Sequence, residues 1–397
     1  MTDVEELRRQ EYDARARVGR LRERAFEADE ERDLAELVKA ERELAALAAR
    51  AAAARRADAV ALDTKGPDRS LGPQTSGLEV TAKIRMSYLP TAFCHLLDVR
   101  TQPLVTVTLR RLGQRARRLR VTCAVDGYSA AAVETVELSE SNERPWSADL
   151  LPTFFPAAVA AVTELTRATL SLQVEDLENG QTEVHRTVPL WLLARDTAPN
   201  HVIDPTDGTP VDLTRYLGAF VTPHARAVGD FTRVAADRHP ERMLVGYQGS
   251  SAATEPQVRA VYQALTDLDL AYVNSVTAYH PEEVVASQRV RLPSETLSQR
   301  MMNCLDGTVL FASILENISL RSELVLVPGH AVVGWEAWPD LGEWAHLDTT
   351  VMGPDRYDSA RQRGDQVVAA YGTPEAGELI RRWPVRELRV MGITPME

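Results

Sequence analysis

Cys304 stands in "NCLDGTVLFASILENISL", in the opening turn of a helical pattern whose buried side carries Leu305, Val309, Leu310, Ile314, Leu315 and Ile318. Free N–H groups and the positive end of the dipole at a helix start favour thiolate over thiol. A cysteine that only fills a core gains nothing from that position, whereas a nucleophile does. Downstream, "LVLVPGHAVVGWEAW" reads as a strand from Leu324 to Val327, a Pro328-Gly329 turn, and a second strand opening with His330. "GEWAHLDTTVMG" reads as a return strand ending in Asp348. A hairpin closing through "PDLGE" brings His330 and Asp348 within one or two positions of facing each other, and their even parity puts both on one face. A thiol, an imidazole and a carboxylate so arranged form a nucleophile, its base, and the group that fixes the base's tautomer. The chemistry is acyl transfer through a thioester.

A Cys, His, Asp order alone is weak, since a chain of this length offers many such triples. Here the surrounding elements agree with all three roles. The segments "CLDGTVLFASILE", "HAVVGWE" and "WAHLDTT" resemble the transglutaminase-like cysteine peptidase superfamily, a circularly rearranged relative of the papain fold. "VRAVYQALTDLDLAYVNS" is similar to the helix and strand that begin that domain. The resemblance covers roughly residues 245 to 353, with "RELRVMGITP" completing the domain. It implies an α+β fold, a protein substrate, no cofactor and no metal. It gives Cys304, His330 and Asp348 the roles of nucleophile, base and orienter. Many members carry Gly before the Cys; here Met302-Asn303 precedes it, and Asn is expected to make the turn through left-handed dihedrals. The Cys304 N–H is one expected oxyanion donor. Gln288, Gln299 or Asn274 is the other, with Gln288 favoured. Hydrolysis of protein amide bonds is the leading expectation. Transglutaminase or deamidase action on Gln side chains and a non-catalytic scaffold are the alternatives.

Three regions must position these residues. Residues 1–62 hold no proline and no glycine after Gly19, and are rich in Ala, Glu, Arg and Leu. Val4, Leu7, Val18, Leu21 and Ala25, then Leu34, Leu37, Leu44 and Leu47 in shifted phase, make a seam. They predict a coiled coil or a helical hairpin turning near "EADEERD", with self-association or a protein partner along the seam. Residues 63–77 read as a Gly/Pro-rich linker. In residues 78–196 the period falls to 2, and "ATLSLQVEDLENGQTEVHRTVPLWLLA" predicts a long hairpin closing at Asn179-Gly180. These residues predict an Ig-like β-sandwich, with Cys94 and Cys123 as core fillers. For residues 210–397 the resemblance implies a C-terminal transglutaminase-like α+β domain, completing an expected multidomain α+β chain.

The 397 residues carry a net charge of −12, which argues against nucleic acid or an anionic membrane as partner. Lysine occurs only at Lys39, Lys65 and Lys83, and the Arg- and Ala-rich usage is that of a high-GC bacterial source. The charged N-terminus and the lack of a long apolar run predict a cytoplasmic protein. Three widely spaced cysteines predict neither disulfides nor a cysteine zinc site, and His201, His224, His239 and His280 lack metal spacing. Trp335, Trp338 and Trp344 suit a cleft floor or a core. Asp306 suits a first-turn dipole partner, and His346, which shares parity with Asp348, a structural or surface histidine.

Overall fold

The computed structural model describes residues 3–27, 31–62, 69–70, 77–112, 117–139, 144–203, 210–273 and 285–396. Helix and sheet are mixed throughout, as an α+β chain requires. The chain divides into two units: Met1–Leu62 with Thr214–Val276 and Val290–Glu397, and Asp63–Leu213 with Thr277–Arg289. Among the described residues no helix is long and apolar enough to cross a membrane.

The second unit follows its period-2 pattern. One sheet runs in the order Arg69–Ser70, Leu78–Ile84, Val105–Arg111, Trp146–Leu150. The other runs Tyr88–Pro90, Gln181–Leu193, Thr166–Asp176, Arg117–Val125, Ala132–Leu138. Inward residues of both, such as Val107 and Leu109 from the first and Val121, Cys123 and Leu172 from the second, share one core. The long hairpin closes through Asn179 and Gly180, whose φ of +67° suits glycine. Burial pushes the Cys123 and Cys94 thiols up to about 12, consistent with core filling. Of the linker, only residues 69, 70 and 77 are described, and Arg69–Ser70 pairs with Thr81 and Ala82. Strand Val285–Arg289, read from sequence as part of the C-terminal domain, pairs instead with Thr197–Ile203 in this unit.

The first unit is built around helix Cys304–Asn317 and an antiparallel sheet ordered Trp344–Leu347, His330–Glu336, Ser322–Val327, Arg381–Pro384. Sequence reading gives this helix one buried side; in the fold it is buried all round from Cys304 to Leu315. Helices Arg226–Ala236, Thr254–Asp267 and Pro293–Gln299 pack on it from the sides the sheet leaves open. A helix apolar on every side belongs at a centre, and the hydroxyls it carries are satisfied: Thr308 and Ser313 donate to carbonyls one turn back.

Helices Asp3–Glu27 and Glu31–Leu62 run antiparallel, with Arg17–Glu43 and Arg22–Glu41 pairs between them. The seam meets the chain itself. Val18, Leu21, Ala25, Leu34 and Leu37 share a core with Val325, Val327 and Val332 of the sheet, and with Val367 and Tyr371 of helix Tyr357–Tyr371. Tyr371 donates to Glu41, and Arg363 donates to the Ala25 carbonyl. An apolar stripe specifies that it needs cover, not which surface supplies it.

Candidate active site

The hairpin of the sheet brings imidazole and carboxylate together. Val327 pairs with His330 across the Pro328-Gly329 turn, and Val333 pairs with Leu347 on the other side. Asp348 therefore falls opposite Val332, two positions from His330 and of like parity. His330 Nε2 lies 2.8 Å from Asp348 Oδ2. The other carboxylate oxygen accepts from the Thr350 N–H at 2.9 Å and its hydroxyl at 2.7 Å. With all these bonds made, a carboxylate only 1% exposed keeps its charge. Burial opposes that charge, but His330 and Thr350 outweigh it and hold Asp348 below the usual range.

The Cys304 side chain also acts on the imidazole, favouring its charged form. With Nε2 committed to Asp348, Nδ1 is the nitrogen left for the thiol. Burial disfavours the charged ring, yet the Asp348 carboxylate and the Cys304 contact more than offset it, so His330 is held above its ordinary value. An imidazole so biased is a strong proton acceptor beside a thiol.

Cys304 is the first residue of its helix, and the N-cap is built with care. Asn303 Oδ1 accepts from the N–H groups of Leu305 and Asp306, both at 2.8 Å, while Asp306 Oδ2 accepts from the Asn303 N–H at 3.0 Å. This is a capping box with Asp in place of Glu. Neither cap bond uses the Cys304 N–H. Asn303 is extended, with φ −104° and ψ −175°, so the left-handed turn expected of it does not form. That conformation falls to Arg300, φ +54°, because an N-cap must be extended for its side chain to reach the first turn.

Asp306 is more than a dipole partner. It is fully buried and takes the Arg291 N–H at 2.7 Å and the Arg291 guanidinium at 2.8 Å as well as the Asn303 N–H. Arg291 in turn donates from Nε to Gln299 Oε1 at 3.1 Å. One carboxylate thus ties the segment before helix Pro293–Gln299 to the first turn of helix Cys304–Asn317. Gly307 permits the other contact: a Cβ there would stand 2.5 Å from Thr349 Oγ1 and 2.9 Å from Thr349 Cβ. Without that glycine the helix could not approach the turn that follows Asp348.

The structure brings Cys304, His330 and Asp348 together; the oxyanion expectations fare differently. Gln288 sits opposite Ala198 on a strand of the second unit, a pairing that the short alternation of "VVASQRV" did not reveal. Asn274 lies outside the described residues. Gln299 is engaged by Arg291. Sequence reasoning missed Tyr272. Strand Ala271–Tyr272 runs parallel to Met301–Met302, with Tyr272 opposite Met302 and the Val273 N–H on the Met302 carbonyl at 2.9 Å. The sequence marks a short strand after helix Thr254–Asp267, but two residues carry no periodicity that would name Met301–Met302 as its partner. Tyr272 is half-exposed; burial, then the charges of Cys304, Asp348 and Asp306, raise its phenol to about 12. It is a neutral hydrogen-bond donor within electrostatic reach of the thiol.

The tryptophans form no common wall. Trp335 is buried on the strand face opposite His330, with the Arg361 guanidinium 4.8 Å from its ring centre. Trp338 packs edge-on to Tyr247 at 5.8 Å. Trp344 lines a separate cavity of about 510 Å³ with Arg321, Glu336 and Arg386. No family model matches this chain, and no curated protein matches it in sequence.

Proposed function

We propose that the first unit is a thiol hydrolase of transglutaminase-like type that cleaves protein amide bonds through Cys304, His330 and Asp348. The observation that carries this reading is one buried imidazole held by Asp348 at 2.8 Å through Nε2, with the helix-start thiol of Cys304 acting on the same ring. In the proposed reaction His330 Nδ1 accepts the Cys304 proton as Sγ bonds to the amide carbon. The tetrahedral oxyanion draws on the Cys304 N–H and the Tyr272 phenol. Collapse breaks the C–N bond, and the His330 proton leaves with the amine. Water then adds to the thioester, giving a proton to His330 that returns to the thiolate as the acid departs. Asp348 keeps Nε2 protonated throughout and steadies the imidazolium. The two-sheet unit is proposed as an Ig-like recruiting module. With the seam of the N-terminal helices occupied, a partner or second copy would meet their outward face, where Arg17, Glu36 and Glu43 are exposed.

The test is a covalent and proteomic one. Iodoacetamide should modify Cys304 ahead of Cys94 and Cys123, and a denatured protein substrate should acquire new N-termini that Cys304→Ala abolishes. Cleavage that survives Cys304→Ala would overturn the reading. Gln-to-Glu conversion or Gln–Lys isopeptides without new N-termini would retain the thioester and replace hydrolysis by side-chain acyl transfer. Tyr272→Phe should lower kcat with KM steady; an unchanged kcat would remove the phenol from the oxyanion site.

A further inference from the structure

The turn that delivers His330 is poorly suited to its strands. Two-residue hairpin loops favour types I′ and II′, whose twist matches the strands, and both need positive φ at the first loop residue. Proline's ring fixes φ near about −65°, so Pro328 excludes both types. Gly329 takes the positive φ, +71°, in the second position. A loop of that class splays its strands, so the register of Val327 with His330 needs support from outside the hairpin.

The N-terminal helices supply it. The Arg22 guanidinium lies directly against Gly329: a Cβ there would stand 2.3 Å from Cζ and 2.5 Å from both Nε and Nη1. Arg22 is fixed in turn, because Nη2 donates to Glu41 Oε1 at 2.8 Å and Glu41 Oε2 accepts from the Tyr371 hydroxyl at 2.6 Å. Glu41 is buried, and Val327 and Val332, which flank the turn, share the core of Val18, Leu21, Leu34 and Leu37. Arg22 Nε is buried without a hydrogen-bond partner. The guanidinium is therefore placed by its contact with the turn and by Glu41, at the expense of one of its own donors.

We propose that Arg22 is a positioning residue for His330, and that the N-terminal helical hairpin sets the distance between imidazole and thiol by clamping the Pro328-Gly329 turn. This rests on the triad reading above. The helices carry no reacting group, yet seating them is what makes the nucleophile competent, so anything that draws them off the sheet silences the site. A misplacement of the ring by about 1 Å is enough to cost a large factor in rate.

The experiment measures Cys304 alkylation by iodoacetamide from about pH 6 to about pH 9 in the full-length chain. Four variants accompany it, with circular dichroism reporting the fold: Arg22→Met, Arg22→Lys, His330→Ala and Leu34→Ala. Met keeps the stem and removes the guanidinium; Leu34→Ala loosens the same core away from the turn. Arg22→Met should slow alkylation about tenfold at the acid end and reshape the profile toward that of His330→Ala. Arg22→Lys, which retains the charge pair with Glu41, should recover part of the rate. Leu34→Ala should lower the melting temperature while leaving the profile in place. A wild-type profile for folded Arg22→Met, or a profile for Leu34→Ala altered as much as that for Arg22→Met, overturns the proposal. If His330→Ala itself leaves the profile unchanged, the triad reading falls and the Arg22 role with it. A His330-dependent profile that ignores Arg22 removes the clamp alone.

Discussion

His330 and His346 stand on paired strands of one sheet, both buried and both hydrogen-bonded to carboxylates. Burial opposes the charged form of each, and in each the carboxylates prevail. They differ in what the second nitrogen meets. His346 has none to spare: Nδ1 is on Asp365 Oδ1 and Nε2 on Glu323 Oε1, both at 3.0 Å. The carboxylates are closed off in turn, Glu323 by Arg382 at 2.5 Å and Asp365 by Arg361 at 3.2 Å. His330 has one nitrogen on a carboxylate, and its ring is influenced by the thiol of Cys304, a group able to lose its proton and form a bond. A perturbed histidine is therefore not in itself a sign of catalysis. A ring saturated with acceptors is a fastener; a ring left with a reactive neighbour is what the proposed reaction uses as its base.

Catalysis should separate the two rings most widely. His330→Ala is expected to lower turnover by about 10³-fold or more while the fold persists. His346→Asn should leave turnover of the folded protein within about threefold. Comparable losses for both, in protein shown folded by circular dichroism, would break the distinction.

Stability should reverse the ranking. Removing the His346 ring leaves Glu323, 1% exposed, with Arg382 as its remaining partner, and loss of one member of a buried charged group costs about 3 kcal/mol. Removing the His330 ring leaves Asp348 its two bonds from Thr350, a lighter loss. Urea denaturation of His346→Ala and His330→Ala would show the order. Equal shifts would mean that His330 is as structural as its neighbour.

Gly334 makes the closed cluster possible, since it stands between Glu323 and His346 in register and lets their side chains meet over its Cα. A Cβ there would lie 2.7 Å from Glu323 Cγ and 2.9 Å from His346 Cδ2. Gly334→Ala should therefore destabilise by about 1–3 kcal/mol through overpacking. Turnover of the folded fraction should hold, because Val332 and His330 lie beyond the disturbed position.

These contrasts mark what a sequence can and cannot disclose. The triad was readable because three local signals coincided: a helix start at Cys304, a Pro-Gly turn before His330, and a parity that survives on both strands. Parity alone could not rank His346 against Asp348, since they share it; the ranking came from Glu323 and Asp365, distant in sequence from both. Asn303 was read as a left-handed turn residue because Asn serves there and at N-caps, and only the Asp306 bond decides. The strand of Gln288 pairs with residues 197–202, across a separation no local pattern records. The helical seam announced apolar cover without naming the sheet beneath it. What escaped, Tyr272 and Arg22 included, are contacts between segments whose own patterns are complete without each other.

The smallest expected effect concerns pH. His346 has an ordinary value of 6.5 and is held above it in the fold, where burial lowers it but Asp365 and Glu323 raise it by more. A group whose folded value exceeds its unfolded one binds its proton more tightly when folded. Its contribution is then fully present below the unfolded value and fades as pH rises through the folded one. The stability difference between wild type and His346→Asn should accordingly be widest near about pH 6 and narrow toward about pH 9, in urea titrations at fixed ionic strength. The residual gap at the alkaline end reports the hydrogen bonds of the neutral ring. A gap that widens with pH would mean that the ring is held neutral by burial and that the carboxylates do not prevail. The cluster would then be no fastener of charge, and the contrast with His330 would have to rest on geometry alone.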